Sequence, residues 1–276
     1  MISNVQLSEN LIRDLETCEI RAWRSIYDSA SPDIISQCGL KIMSIDSAFI
    51  TMVSNADVLA FNRVVGLAMN GPVQEKTVDE ITDQFRGSGI KRFFVQLMPD
   101  ATGTRLPDLL LSKGFRHHNN WVRFYRDTSP ISSVNTALRI EKIGILQKER
   151  FAELVGTAFG WPQVVWPWMA ASVGTPGWYH YIAFDGEKGV ATAAFHVSGE
   201  NAWFGMASTL PEYRKHGTQG ALIARRINDA RNLGCKTLVV ETAEETPTRD
   251  APSYRNMHRY GFQMAYLRPN YIKVFE

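Results

Sequence analysis

The stretch LPEYRKHGTQGALIARRI, residues 210–227, gathers the residues best suited to chemistry. Arg214, Lys215 and His216 precede Gly217 and Gly220, and the apolar residues that follow recur at helical spacing. A helix N-terminus carries backbone N–H groups with no intrahelical partner and the positive end of the helix dipole, so a basic, glycine-bearing turn at that point suits a phosphate. Neither GxxxxGK[ST] nor a GxGxxG with a downstream acid is present, which implies a phosphate ligand outside those two classes. No metal centre is expected. The three cysteines, Cys18, Cys38 and Cys235, lack CxxC spacing and read as reduced packing residues, while the adjacent His117 and His118 point to opposite faces of a strand-like run.

A strand must deliver this turn and a helix must follow it. NAWFGMAST (201–209) alternates as a strand and pairs with GVATAAFHV around the turn SGEN. Beyond the turn, Leu222, Ile223, Ile227, Ala230 and Leu233 form the apolar stripe of a helix that packs on a sheet. CKTLVVETA is the next strand, Ser253 to Tyr260 a short helix, and two strands close the chain. Upstream, ALRIEKI and WYHYIAF read as strands around a helix over Ile145 to Phe159. The expected class is α/β (α+β), a mixed, mostly antiparallel sheet flanked by helices.

The same unit occurs twice. FRGSGIKRFFVQL (85–97) and ARNLGCKTLVVET (230–242) match at one constant offset, pairing Arg86 with Arg231, Gly89 with Gly234, Lys91 with Lys236 and Val95 with Val240. LSKGFRHHNNWVRFYR (111–126) parallels HRYGFQMAYLRPNYIKV (258–274). The Ser, Thr, Asn and Pro content around DTSPISSVNT marks a junction, so residues 1–127 form one copy, 128–137 a linker and 138–276 the second copy. Two copies fit a chain of 276 residues that is 45% hydrophobic. With a net charge of +2 and no charged block, no nucleic-acid or membrane-surface role is expected. The N-terminus lacks a signal-peptide pattern, and a cytoplasmic protein is expected.

Arg214, Lys215, His216, Gly217, Thr218 and Gln219 resemble, in register, the [Q/R]-x-x-G-x-[G/A] signature of the GCN5-related N-acetyltransferases, with Gln219 standing where Gly or Ala is usual and Gly220 following it. SYRNMHRYGF (253–262) is similar to the S-x-R-N-x-x-R-x-G-F ending of one branch of that family. The resemblance implies two tandem domains of that fold and acetyl-coenzyme A as co-substrate, with no metal. It implies that backbone amides of residues 215–220 hold the pyrophosphate, that Ala207, Ser208 and Thr209 pair with the pantetheine arm, and that Ser253 and Asn256 lie near it. Glu241 stands where several family members carry the general base that takes a proton from the acceptor amine, the alternatives being a structural carboxylate or a water chain. The family's frequent acid is a tyrosine; Met257 occupies its position, and the acid is unassigned.

The first copy lacks the phosphate turn. NGPVQEKTVDE (70–80) replaces it, and Gln96 stands in place of Glu241. That copy reads as a degenerate domain kept for packing, which makes the chain an internal pseudo-dimer and an expected monomer. Four of the seven tryptophans, Trp161, Trp166, Trp168 and Trp178, fall in one stretch that reads first as core and, by the resemblance, as a wall of the acceptor site. The expected activity is acetyl transfer to a primary amine of a small molecule. The alternative is a coenzyme-A- or acyl-coenzyme-A-binding sensor without catalysis.

Overall fold

The computed structural model describes residues 7–99, 104–132 and 134–276. Helix α1 (Glu9–Asp28) starts at Ser8, whose Oγ accepts from the Leu11 N–H at 3.2 Å, and buries Ile12, Leu15, Ala22, Trp23 and Ile26 along one face. The first copy continues through α2 (Pro32–Cys38), β1 (Leu40–Ile45), β2 (Ala48–Val53), β3 (Arg63–Val65), α3 (Glu75–Gly87), β4 (Arg92–Gln96), α4 (Leu106–Ser112) and β5 (Arg116–Asp127). The second contains β6 (Arg139–Ile143), α5 (Lys148–Phe159), α6 (Trp166–Ala171), β7 (Trp178–Asp185), β8 (Lys188–Ser198) and β9 (Asn201–Thr209). It ends with α7 (Thr218–Asn232), β10 (Thr237–Ala243), α8 (Pro252–Arg259) and β11 (Gln263–Val274).

The repeat is visible in local geometry. After α3 the Gly89 N–H donates to Arg86 O at 3.0 Å; after α7 the Gly234 N–H donates to Arg231 O at 2.9 Å. The two Gly-Phe pairs also agree, with Phe115 N to Leu110 O and Phe262 N to Met257 O both at 3.0 Å. Where two closing strands are expected in each copy, a single long strand is found, and β11 takes up two irregularities in register along its length.

All strands join one sheet in the order β1-β2-β3-β4-β11-β5-β10-β9-β8-β7-β6. Every neighbouring pair is antiparallel except β3 with β4 and β9 with β10. The closing strands are exchanged: β11, from the second copy, lies between β4 and β5, and β5, from the first, lies between β11 and β10. The mixed, mostly antiparallel sheet with flanking helices agrees with the class expected from sequence.

Side chains alternate across β9, so Trp203 enters one core and Phe204 the other. Helix α1 lies over β8, β9 and β10 of the second copy. Trp168 is fully buried and donates its Nε1–H to Ile26 O at 3.0 Å, and Trp178 donates to Ser25 Oγ at 3.1 Å. Phe61 meets Trp23, Trp161 and Trp168 at ring separations of 6.0, 4.8 and 5.2 Å. The tryptophan-rich stretch therefore fastens the second copy to α1 of the first, with Trp161 and Trp166 only half-buried. On the opposite face, Leu222, Ile223 and Ile227 of α7 pack with Phe195 and Phe204.

Candidate functional site

Strands β9 and β10 run in parallel register from Asn201 and Thr237 to Phe204 and Val240, and there the ladder ends. The separation has a local cause. Met206 takes a left-handed φ of 50°, and the register of β8 against β9 shifts between Thr192 and Ala194, which bends β9 away. Thr192 fixes the bend by donating to Met206 O at 2.9 Å and sharing a 2.7 Å hydrogen bond with Ser208 Oγ. Ala207, Ser208 and Thr209 form one lip of the resulting gap, and Glu241 is the first residue of β10 beyond the ladder.

The gap leads to the turn before α7. Lys215 (φ 68°) and Gly217 (φ 74°) are both left-handed, and mixing such residues with ordinary ones gives the concave backbone that binds anions. Among the described residues, no protein acceptor takes the backbone N–H groups of Lys215 to Gly220. Thr218 Oγ1 is likewise buried with no partner. Arg214, Lys215 and His216 are exposed beside them. These donors fit a pyrophosphate.

Gln219, Tyr260 and the linker make contacts at this turn that have no counterpart in the sequence reading. Gln219 donates to Ser208 O at 2.8 Å and to Thr209 Oγ1 at 2.9 Å, tying the first turn of α7 to the lip of β9. A Cβ on Gly220 would lie 1.9 Å from the Tyr260 hydroxyl oxygen, so this glycine makes room for Tyr260. The linker also reaches the turn: Thr136 donates to His216 O at 3.3 Å, and Asn135 O lies 2.9 Å from where a Gly217 Cβ would stand. Ser253 and Asn256 lie on α8, exposed and half-buried respectively.

Glu241 belongs to a buried ionic cluster drawn from both copies. Its Oε1 accepts from Arg63 at 3.2 Å and its Oε2 from Arg268 at 2.8 Å, with Arg123 at 3.9 Å. Glu19 binds the same three guanidiniums, with Arg63 at 2.9 Å, Arg268 at 2.8 Å and a close contact to Arg123. Glu16 pairs with Arg268 at 3.0 Å and accepts from the Tyr266 hydroxyl at 2.7 Å. The Glu241 side chain is 12% exposed, whereas Glu16, Glu19, Arg63, Arg123 and Arg268 are at 1% or less. The cluster opens to solvent only at Glu241, on the edge of the gap.

Burial and the neighbouring Glu19 carboxylate push the Glu241 carboxyl up to about 7 against the pull of the arginines. Burial also opposes ionisation of Glu19, but Arg123, Arg268 and Arg63 outweigh it and hold that carboxyl well below its usual range. The partners of Glu241 escaped the sequence reading. The available signal was charge in apolar company: Arg63 in FNRVVG, Arg123 in WVRFYR, and Glu16 and Glu19 one helical turn apart beside Leu15 and Cys18.

The fold has solved counterparts. The chain is similar to a GCN5-related N-acetyltransferase from Sphaerobacter thermophilus, with a TM-score of 0.63, 15% identity, and 83% of this chain and 76% of that one covered. It is also similar to a GCN5-related N-acetyltransferase from Kribbella flavida, with a TM-score of 0.61, 12% identity, and 86% and 90% covered. A tandem GNAT protein from the clavulanic acid biosynthesis pathway gives 0.57 at 13% identity over 82% and 78%. The chain has the fold of the GCN5-related N-acetyltransferases. No protein-family model matches the chain, and no curated protein matches it by sequence. At these identities the acetyltransferase fold is what is shared, and the parted strands and the basic turn lie within it.

Proposed function

We propose that the protein is an acyltransferase that uses acetyl-coenzyme A to acetylate a primary amine of a small molecule at the β9–β10 gap of the second copy. The observation that carries this reading is the position of Glu241, the one open member of the ionic cluster and the first residue past the ladder. Acetyl-coenzyme A would supply a thioester carbonyl. The amides of residues 215–220, with Arg214, Lys215 and His216 beside them, would hold its pyrophosphate, Ala207 to Thr209 its pantetheine arm, and Ser253 and Asn256 would flank it.

An ammonium has no lone pair, so the acceptor must lose a proton before its nitrogen can attack. A carboxyl raised to about 7 by burial is half ionised near neutrality and suits that transfer. Tyr260 sets its hydroxyl against Gly220 in the first turn of α7, while Met257 is buried in the core. Among the described residues no helix is long and apolar enough to cross a membrane, and no cluster of three metal-binding side chains occurs. We place the protein in the cytoplasm as a monomer, the exchanged strands standing in for a dimer.

The second reading, a coenzyme-A-binding sensor without turnover, is favoured by the arginines that engage both Glu241 oxygens. Turnover separates the two. A panel of small primary amines with acetyl-coenzyme A, followed by thiol release, is expected to give a signal that Glu241→Gln lowers ~10²- to 10⁴-fold with donor affinity unchanged. Donor binding without thiol release from any amine would favour the sensor.

Gly217→Val is expected to abolish coenzyme A binding measured by calorimetry. The left-handed φ excludes a β-branched residue, and the new Cβ would press on Asn135 O. Undiminished binding would remove the turn from the site.

A further inference from the structure

We infer that Glu19 of α1 is the positioning residue of Glu241, which makes the first copy a working part of the second copy's site. Glu19 Oε1 meets Arg63 at 2.9 Å, Arg63 meets Glu241 Oε1 at 3.2 Å, Glu241 Oε2 meets Arg268 at 2.8 Å, and Arg268 returns to Glu19 Oε2 at 2.8 Å. This is a closed ring of alternating charge. Each arginine bridges the two carboxylates, so neither guanidinium can follow one carboxylate without shifting against the other. The inference rests on Glu241 being the base.

The ring is not a packing necessity of the fold. At the equivalent place in the first copy, where β4 meets β11, Gln96 pairs with Asn270 in the register that Glu241 shares with Arg123 between β10 and β5. The amides hydrogen-bond at 2.8 Å, and an uncharged pair fills that position. Ionised groups occupy it only in the copy that has the basic turn. Arg63 joins the two places, donating to Gln96 Oε1 at 2.9 Å as well as to Glu241.

Glu241 meets Arg63 from β3, Arg123 from β5 and Arg268 from β11; across these guanidiniums stand Glu19 and Glu16 from α1, with Tyr266 from β11 bonded to Glu16. They comprise three guanidiniums and, counting Glu241, three carboxyls. Removing the Glu19 charge frees guanidinium capacity for Glu241 and takes away a like charge. Both effects favour the ionised form of Glu241.

The test measures the pH dependence of kcat/KM for the full chain and for Glu19→Gln, with Glu241→Gln alongside. Glu19→Gln is expected to move the acid limb to lower pH by about one unit. Glu16→Gln, which leaves the ring intact, is expected to move it less. An acid limb that stays in place in Glu19→Gln, while Glu241→Gln loses its rate, would overturn the positioning role and leave the base reading standing. A Glu241→Gln variant with the parent's rate and profile would overturn both. Carboxyl 13C NMR titration, with Glu241 assigned by its loss in Glu241→Gln, reads the same displacement without turnover. Should Glu19→Gln fail to fold, the same titration in Glu19→Asp, which keeps the charge but shortens its reach to Arg63 and Arg268, decides: a displaced Glu241 supports the coupling, and an unmoved Glu241 overturns it.

Discussion

Arg268→Ala is expected to destabilise the protein by about 3–5 kcal/mol, the cost typical of breaking a buried ion pair from one side. Arg268 is fully buried and meets Glu16, Glu19 and Glu241, so its removal leaves three carboxyls facing two guanidiniums, with Glu16 and Glu19 sealed from water. The measurement is the shift of the denaturant midpoint at unchanged slope. A loss under about 1 kcal/mol would show that the cluster behaves like an exposed pair. The pH dependence has a definite sign for each carboxyl. Glu19, held below its ordinary value of 4.5, stabilises the fold above that value and loses the contribution as pH falls through its folded value. Glu241 is raised, so its contribution is complete below 4.5 and is lost as pH rises through about 7. Acid unfolding is therefore driven by Glu19, whereas Glu241 erodes stability as pH rises from 4.5 to about 7 and adds no further loss above that.

Residues 138–276 produced alone are expected to aggregate or self-pair rather than give a folded monomer. Both sheet partners of β11, β4 and β5, lie in the first copy, and β10 loses β5 along its whole length. The fragment also uncovers Trp168, Trp178 and Trp203, which α1 shields in the full chain. An open strand edge and bare tryptophans both promote association. Sedimentation and circular dichroism of the fragment test this, and a monomeric, cooperatively folding fragment would contradict the exchanged sheet.

What could be read from the sequence is what the chain settles locally. The paired Gly-Phe turns, the matching ends of α3 and α7, and the strand-turn-helix around Gly217 depend on backbone freedom and apolar spacing within a few residues. That β6 to β10 are strands, and that β8 pairs with β9 around a tight turn, was legible for the same reason. The exchange of β5 and β11 was not, because either strand presents the same alternation to either neighbour and the choice is made by long-range pairing. The partners of Glu241 were hidden for a related reason. Arg63, Arg123 and Arg268 look like ordinary strand charges until the sheet brings them under α1. Gln219 departs from the family pattern, and its role became visible only when its amide was seen to hold Ser208 and Thr209.

The exchanged strands also dictate an order of assembly. During synthesis β4 and β5 emerge early, yet the strand that lies between them, β11, is made only after the preceding strands and helices of the second copy. Until then two open edges of the nascent sheet must be kept apart from each other and from neighbouring chains. The last insertion closes a loop spanning half the molecule, the kind of non-local contact that slows folding. Neither copy can finish first, so the two reach the native state together, and a ribosome stalled within the second copy leaves β4 and β5 without the strand that joins them.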